Sequence, residues 1–347
     1  MIAPSPWWDA SRHADRRPLL AARGRIRDAA RRYFTTEGFT EVECGALQVS
    51  PGNEAHLHAF ATESISPAGA RRRFYLHTSP EFACKKLLAA GERRIFTLSQ
   101  VYRNRERGDL HAPEFTMLEW YRAGETYDSV IADCLSIVKL AAQETDTTNF
   151  RFRGREARAG RRAERIAVAD AFHRYAAIDL LATLDSEGRP DREVFARAAA
   201  ATGIKVVQDD NWSDIFSRVL TERIEPHLGL GQPTILDRYP RCEAALARAS
   251  SDDPRLAERF ELYLCGVEVA NGFGELTDPE EQRRRFEGEM AEKQRIYREN
   301  YPIDEEFLAA LAHMPEASGV ALGFDRLVML ATGAERIDRV MWTPPPE

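Results

Sequence analysis

Paired runs of alternating residues, each pair closed by a short turn, constrain this chain more than any other feature. Residues 94–104 and 114–122 read as two strands joined by the charged loop RERGDLHAP. Residues 260–264 and 267–271 alternate in the same way around Cys265-Gly266, a hairpin signal. Near the C-terminus a glycine-bearing strand, 319–323, runs straight into an apolar helix over 325–331. Hairpins, in place of regular strand–helix–strand alternation, predict an α+β fold in which helices flank an antiparallel sheet.

Helical signals fill the space between. Pro18 opens a helix whose apolar positions Leu19, Ile26, Ala29, Ala30, Tyr33 and Phe34 recur at helical spacing until Gly38. A short strand follows over 39–42. Ser79 as cap, Pro80 as first residue and Gly91 as terminator mark a second helix. Further helices are expected near 127–143, 167–177, 190–202, 211–226 and, behind Asp278-Pro279, to about residue 300. Residues 1–17 and the TPPPE end, 343–347, read as tails around one domain over 18–342. The 347 residues, 44% of them hydrophobic, suffice for a sizeable core. No run nears the ~18 apolar residues of a membrane span, and no signal peptide is visible. Five scattered cysteines argue against a disulfide framework. Together these predict a cytoplasmic protein. Its formal charge is −7, yet arginines cluster over 12–32 and 151–165, as an acidic partner or a phosphate backbone would favour.

Four segments carry the chemistry: TSPEFACKKLL (78–88), VYRNRERGDLHAPEFTMLEWYR (101–122), GVEVANGFGELTDPEEQ (266–282) and GVALGFDRLVML (319–330). Arg103 and Phe115 lie on adjoining strands, where a guanidinium holds a phosphate oxygen and a ring stacks on a base. Glu268 and Glu275 are carboxylates of the kind that, beside phosphates, suit Mg²⁺, which keeps waters and takes one or two protein oxygens. Glycines in the last segment let backbone approach a ligand, with Arg326 at a helix start. Alone, each has an ordinary reading as a surface ion pair, solvated glutamates or tight packing.

Together they resemble motifs 2 and 3 of the class II aminoacyl-tRNA synthetases, nearest the lysyl enzymes, and the region 33–49 resembles motif 1. The resemblance spans about 19–342. A lysyl-tRNA synthetase carries an anticodon-binding domain before this point, for which the sequence leaves no room. The free-standing domain with TSPE and MLEWYR is similar to the elongation factor P–(R)-β-lysine ligase family. That resemblance implies ATP and Mg²⁺, (R)-β-lysine or lysine as substrate, elongation factor P as acceptor, a homodimer, and no tRNA or membrane partner.

It also implies residue roles. Arg103, Glu268, Glu275 and Arg326 would be catalytic, and Glu268 and Glu275 would hold the metal. ATP would meet Arg103, Asn104, Arg105, Glu106, Ala112, Phe115, Glu268, Val269, Gly323 and Arg326. The amino acid would meet Ser79, Pro80, Glu81, Glu119, Tyr121, Asn271, Glu275 and Ala321. Three positions depart from the family pattern: Arg105 where an acid is usual, with Glu106 next to it; Ala112 in place of asparagine; and Gly45 in place of the motif 1 proline. Ala321 stands where α-lysine enzymes carry glycine, which predicts a preference for the β-isomer. Two other classes remain at this stage, a truncated enzyme charging a tRNA and a non-catalytic sensor of amino acid or ATP. The intact Arg103, Glu268, Glu275 and Arg326 set argues against the sensor.

Overall fold

The structure is a computed structural model that describes residues 6–346. Helix α1 (Ala10–Thr36) begins well before Pro18, which lies inside it. Asp9 caps the helix by accepting from the Ser11 and Arg12 amides. Buried Arg16 then ties its first turns to the Arg339 and Met341 carbonyls near the other end of the chain. The tail expected over 1–17 is therefore helical from Ala10 onward, and residues 1–5 lie outside the described residues. Residues 343–346 form neither helix nor strand, and Glu347 is again outside them.

After α1 the chain runs β1 (Thr40–Glu41), β2 (Leu47–Gln48), β3 (Ala61–Ile65), β4 (Arg71–Leu76), α2 (Glu81–Ala89), β5 (Arg94–Tyr102), β6 (Glu114–Ala123) and α3 (Tyr127–Glu144). Next come β7 (Asn149–Phe152), β8 (Arg155–Arg158), β9 (Glu164–Ala167), α4 (Val168–Ala176), α5 (Arg192–Ala201), α6 (Trp212–Val219) and β10 (Thr234–Asp237). The last third holds β11 (Arg259–Leu264), β12 (Val267–Gly274), α7 (Pro279–Tyr297), α8 (Glu305–Leu311), β13 (Ala317–Gly323) and α9 (Phe324–Thr332). Hairpins β3–β4 and β7–β8 and helix α8 were not anticipated. The helix expected over 211–226 gives way after Val219 to a π-type turn.

Eight strands form one sheet in the order β1-β5-β6-β13-β12-β11-β10-β9. It is antiparallel except at its margins, where β1 joins β5 and β9 joins β10 in parallel. The two faces differ because side chains alternate along each strand. One face carries Leu118, Trp120, Val320, Leu322, Leu262 and Leu264 into the main core, under α1, α3 and α9. A second core gathers α4, α5 and α6 over the β9–β10 margin. The opposite face is covered at one end by α2, α7 and α8, through Phe82, Phe286 and Phe307. Beyond those helices it stays open, and there the cleft lies.

One irregularity sets what that face displays. Between Leu262 and Tyr263 the partner strand advances by two, from Ala270 to Glu268, so Val269 is an extra residue. Such a bulge reverses the alternation beyond it. Glu268 thereby shares a face with Asn271 and Phe273, which plain alternation would forbid.

Candidate active site

Two rows of side chains cross the open face. Glu119, Ala321, Asn271 and Glu261 stand in register on β6, β13, β12 and β11. Beside them run Tyr121, Gly319, Phe273 and Arg259. A cleft of about 310 Å³ lies over these rows. Its walls include Ser79, Glu81, Arg103, Glu106, Ala112, Phe115, Glu261, Glu268, Val269, Asn271, Ala321, Gly323 and Arg326.

One end of the cleft is cationic and aromatic. Arg103 follows β5, its guanidinium carbon 5.3 Å from the centre of the Phe115 ring, with Nε donating to the Thr78 carbonyl at 3.2 Å. Arg326, in the first turn of α9, donates from Nη1 to the Glu268 carbonyl at 2.9 Å and from Nε to the Leu110 carbonyl at 3.3 Å. Its Nη2 lies 2.7 Å from His111 Nε2, so the imidazole accepts there. Burial, then the charges of Arg326 and Arg103, push that histidine below its ordinary value, consistent with a neutral ring. Glu268 faces the same end. Burial and Glu261 raise its carboxyl to about 7, against the pull of Arg326, Arg259 and Arg103.

The other end is acidic and closed. Glu119 is fully buried and receives the Ser79 hydroxyl at 2.6 Å on one oxygen and the Tyr121 hydroxyl at 2.7 Å on the other. Burial and nearby Glu81 push its carboxyl up to about 8, while the two hydroxyls pull it down. Glu275 lies 2.6 Å from the ammonium of Lys85, and both of these side chains are sealed from solvent. Burial raises Glu275 to about 7 against the attraction of Lys85. Gly319 makes this convergence possible, because a Cβ there would collide with Glu275 and the Tyr121 ring.

Several residues assigned from sequence stand elsewhere. Arg105 takes a left-handed backbone (φ 65°) that turns its side chain out to Glu299, at the end of α7, and Glu106 occupies the cleft wall instead. Asn104 spends its amide on the His58 carbonyl and its Oδ1 on the Arg105 amide, outside the cleft lining. Of the residues assigned to the amino acid, Ser79, Glu81, Asn271 and Ala321 line the cleft. Glu119, Tyr121 and Glu275 form the layer behind it, because α2 passes over β6, and Pro80 borders an adjoining hollow. The two carboxylates assigned to a metal are therefore split: Glu268 opens to the cleft, and Glu275 is sealed against Lys85. Among the described residues, no group of three or more His, Cys, Asp or Glu side chains is placed to hold a metal ion. Sequence reasoning missed Lys85, Arg259, Glu261 and His111. Only Lys85 had a signal, its spacing of four from Glu81 on a helix.

A family model described as tRNA synthetases class II (D, K and N) matches residues 4–345. The elongation factor P–(R)-β-lysine ligase of Proteus mirabilis (strain HI4320) is 39% identical over 329 residues, 94% of each chain. That of Pectobacterium carotovorum subsp. carotovorum (strain PC1) is 38% identical over 326 residues, 93% of each. That of Haemophilus influenzae (strain PittGG) is 38% identical over 336 residues, 96% of each. The chain belongs to this ligase family. Its mostly antiparallel sheet with flanking helices is the α+β arrangement expected from the hairpins, and it is the class II synthetase fold that the resemblance implied.

Proposed function

We propose that this chain activates (R)-β-lysine with ATP as an aminoacyl adenylate and then transfers it to a lysine side chain of elongation factor P. The observation that carries this reading is the polarity of one continuous cleft. Arg103, Arg326 and Phe115 at one end suit a nucleotide triphosphate, and Glu81, backed by Glu119, at the other suits ammonium groups. The names of the relatives supply the acceptor and the isomer.

In the first step a carboxylate oxygen of the amino acid attacks the α-phosphorus, and the bond to the pyrophosphate leaving group breaks. Arg103 meets the charge that develops on the α-phosphoryl oxygens. Phe115 and Arg326 hold the adenine between them, and the carbonyls that bind Arg326 fix its plane. In the second step the neutral acceptor amine attacks the acyl carbon, AMP leaves, and the new amide loses a proton. No enzyme nucleophile takes part, so catalysis rests on positioning and on donors fixed before charge appears. Mg²⁺ bound with ATP would neutralise phosphate charge, and Glu268 fits it because its carboxylate is open to the cleft. Glu275 does not fit as a second ligand in this arrangement, since Lys85 occupies it. Glu106, on the cleft wall, takes the role of the acid usual at position 105.

We place the ligase in the cytoplasm as a homodimer acting on a protein and not on tRNA. Among the described residues no helix is long and apolar enough to cross a membrane. Intact mass spectrometry of elongation factor P, incubated with this protein, ATP and either lysine isomer, tests the reading. Gain of one lysyl residue, faster with the β-isomer, is expected. An unmodified factor alongside a charged tRNA would favour the tRNA enzyme instead.

A further inference from the structure

Helix α2 opens with Glu81 and carries Lys85 one turn later, with its side chain wholly enclosed. The ammonium sits between two carboxylates, Oε1 of Glu81 and Oε2 of Glu275. Of the three groups only Glu81 reaches the cleft. Its Oε1 is sealed against Lys85, which leaves Oε2 as the oxygen open to a ligand. Glu275 closes the arrangement from the end of β12, in the space that Gly319 leaves free.

A buried cation is tolerated only when its partners are in place, and the converse holds for two buried carboxylates that face one another. Without the cation between them, Glu81 and Glu275 repel, and either Glu81 swings away or one of the two takes up a proton. Both responses weaken a carboxylate that has to receive an ammonium. A free glutamate also loses rotamer freedom when it engages a ligand, a cost already met when its other oxygen is anchored.

We infer that Lys85 is a positioning residue for the amino-acid pocket: braced by Glu275, it holds the Glu81 carboxylate toward the cleft and keeps it from being repelled. It touches neither substrate and acts through Glu81. The inference rests on reading the cleft as a β-lysine site. It places the effect on the amino acid alone, because ATP is held by Arg103, Phe115 and Arg326 at the far end.

The test measures adenylate formation by the full chain, titrating (R)-β-lysine and ATP separately, for wild type, Lys85→Met, Lys85→Gln and Lys85→Arg. The methionine variant keeps length without charge. A rise of tenfold or more in KM for β-lysine is expected, with KM for ATP within twofold of wild type. Lys85→Arg, which keeps the charge, should recover part of the loss. Should Lys85→Met fold too poorly to assay, Lys85→Gln carries the same expectation, since it can donate to a carboxylate but brings no cation. A folded variant whose β-lysine KM stays within twofold of wild type would overturn the inference, as would equal rises in both KM values. A wild type inert toward β-lysine would overturn the functional reading first, and this inference with it.

Discussion

Arg103 sits where β5 ends, its guanidinium carbon over the Phe115 ring and its Nε donating to the Thr78 carbonyl. Removing one fixed donor to developing charge typically costs ~10²–10³ in rate. Arg103→Ala should therefore lose about that much pyrophosphate exchange while its far-ultraviolet circular dichroism stays native. Ala321 lines the cleft in register with Glu119 and Asn271, so under the proposed function its methyl would face the amino acid. A misfit of one methyl is worth about 10–200-fold in specificity. Wild type is expected to prefer (R)-β-lysine, and Ala321→Gly to gain activity with α-lysine; competition between the isomers measures both. Glu119 makes a pH prediction. The native state keeps its proton up to about 8, whereas the unfolded chain gives it up near the ordinary glutamate value. The native state thus binds the extra proton in that window, and stability falls as pH rises through it. Melting temperatures from pH 5 to 9 should decline less steeply for Glu119→Gln than for wild type. Arg103, Phe115 and Arg326 could be read from sequence because alternation and helix starts are local patterns. Lys85 with Glu275 could not. That pair depends on which strand lies under which helix, and that is decided by packing across a long separation in the chain.

At the scale of elements, one carboxylate joins three of them. Asp133 of α3 receives Arg122 Nε and Nη2, both at 2.8 Å, Trp120 Nε1 at 3.0 Å and, from α1, the Tyr33 hydroxyl at 2.7 Å. Every donor but Tyr33 comes from β6, so this cluster sets the height of both helices over the central strand. Asp133→Ala would take from a buried guanidinium the nearer of its two carboxylates, leaving only Glu125 at 3.3 Å, and breaking such a buried pair costs up to about 3–5 kcal/mol. Chemical denaturation of the variant checks the figure. The arginine cluster over 151–165 falls on the β7–β8 hairpin and β9, and much of it is spent inside the chain: Arg151 on Glu156, Arg153 on Asp109, and Arg165 on Asp128 and Asp237. Composition had marked this stretch as one surface for a partner. The structure divides it, because Asp109, Asp128 and Asp237 reach it from distant parts of the chain.

At the scale of the molecule, the apolar side of α1 does not wait for a second subunit. Ile26, Ala30 and Phe34 are buried in the chain's own core, so the apolar face of the helix that opens the motif 1 region is not left over for a second subunit. The proposed homodimer would instead use the motif 1 region beyond the helix, where Leu47 on β2 keeps 57% of its surface exposed. Sedimentation at micromolar concentration should give twice the 39.2 kDa of one chain, and Leu47→Asp should shift the particle toward one chain. The extra residue at Val269 has a consequence for lineage. It works as a phase marker in the strand: deleting any single residue between Glu268 and Asn271 would turn Glu268 away from the cleft while leaving the hairpin able to form. Descendants of this chain cannot shorten or lengthen β12 there without losing the register between the glutamate and the cleft. Length variation within the family should therefore collect in the turns and spare this strand.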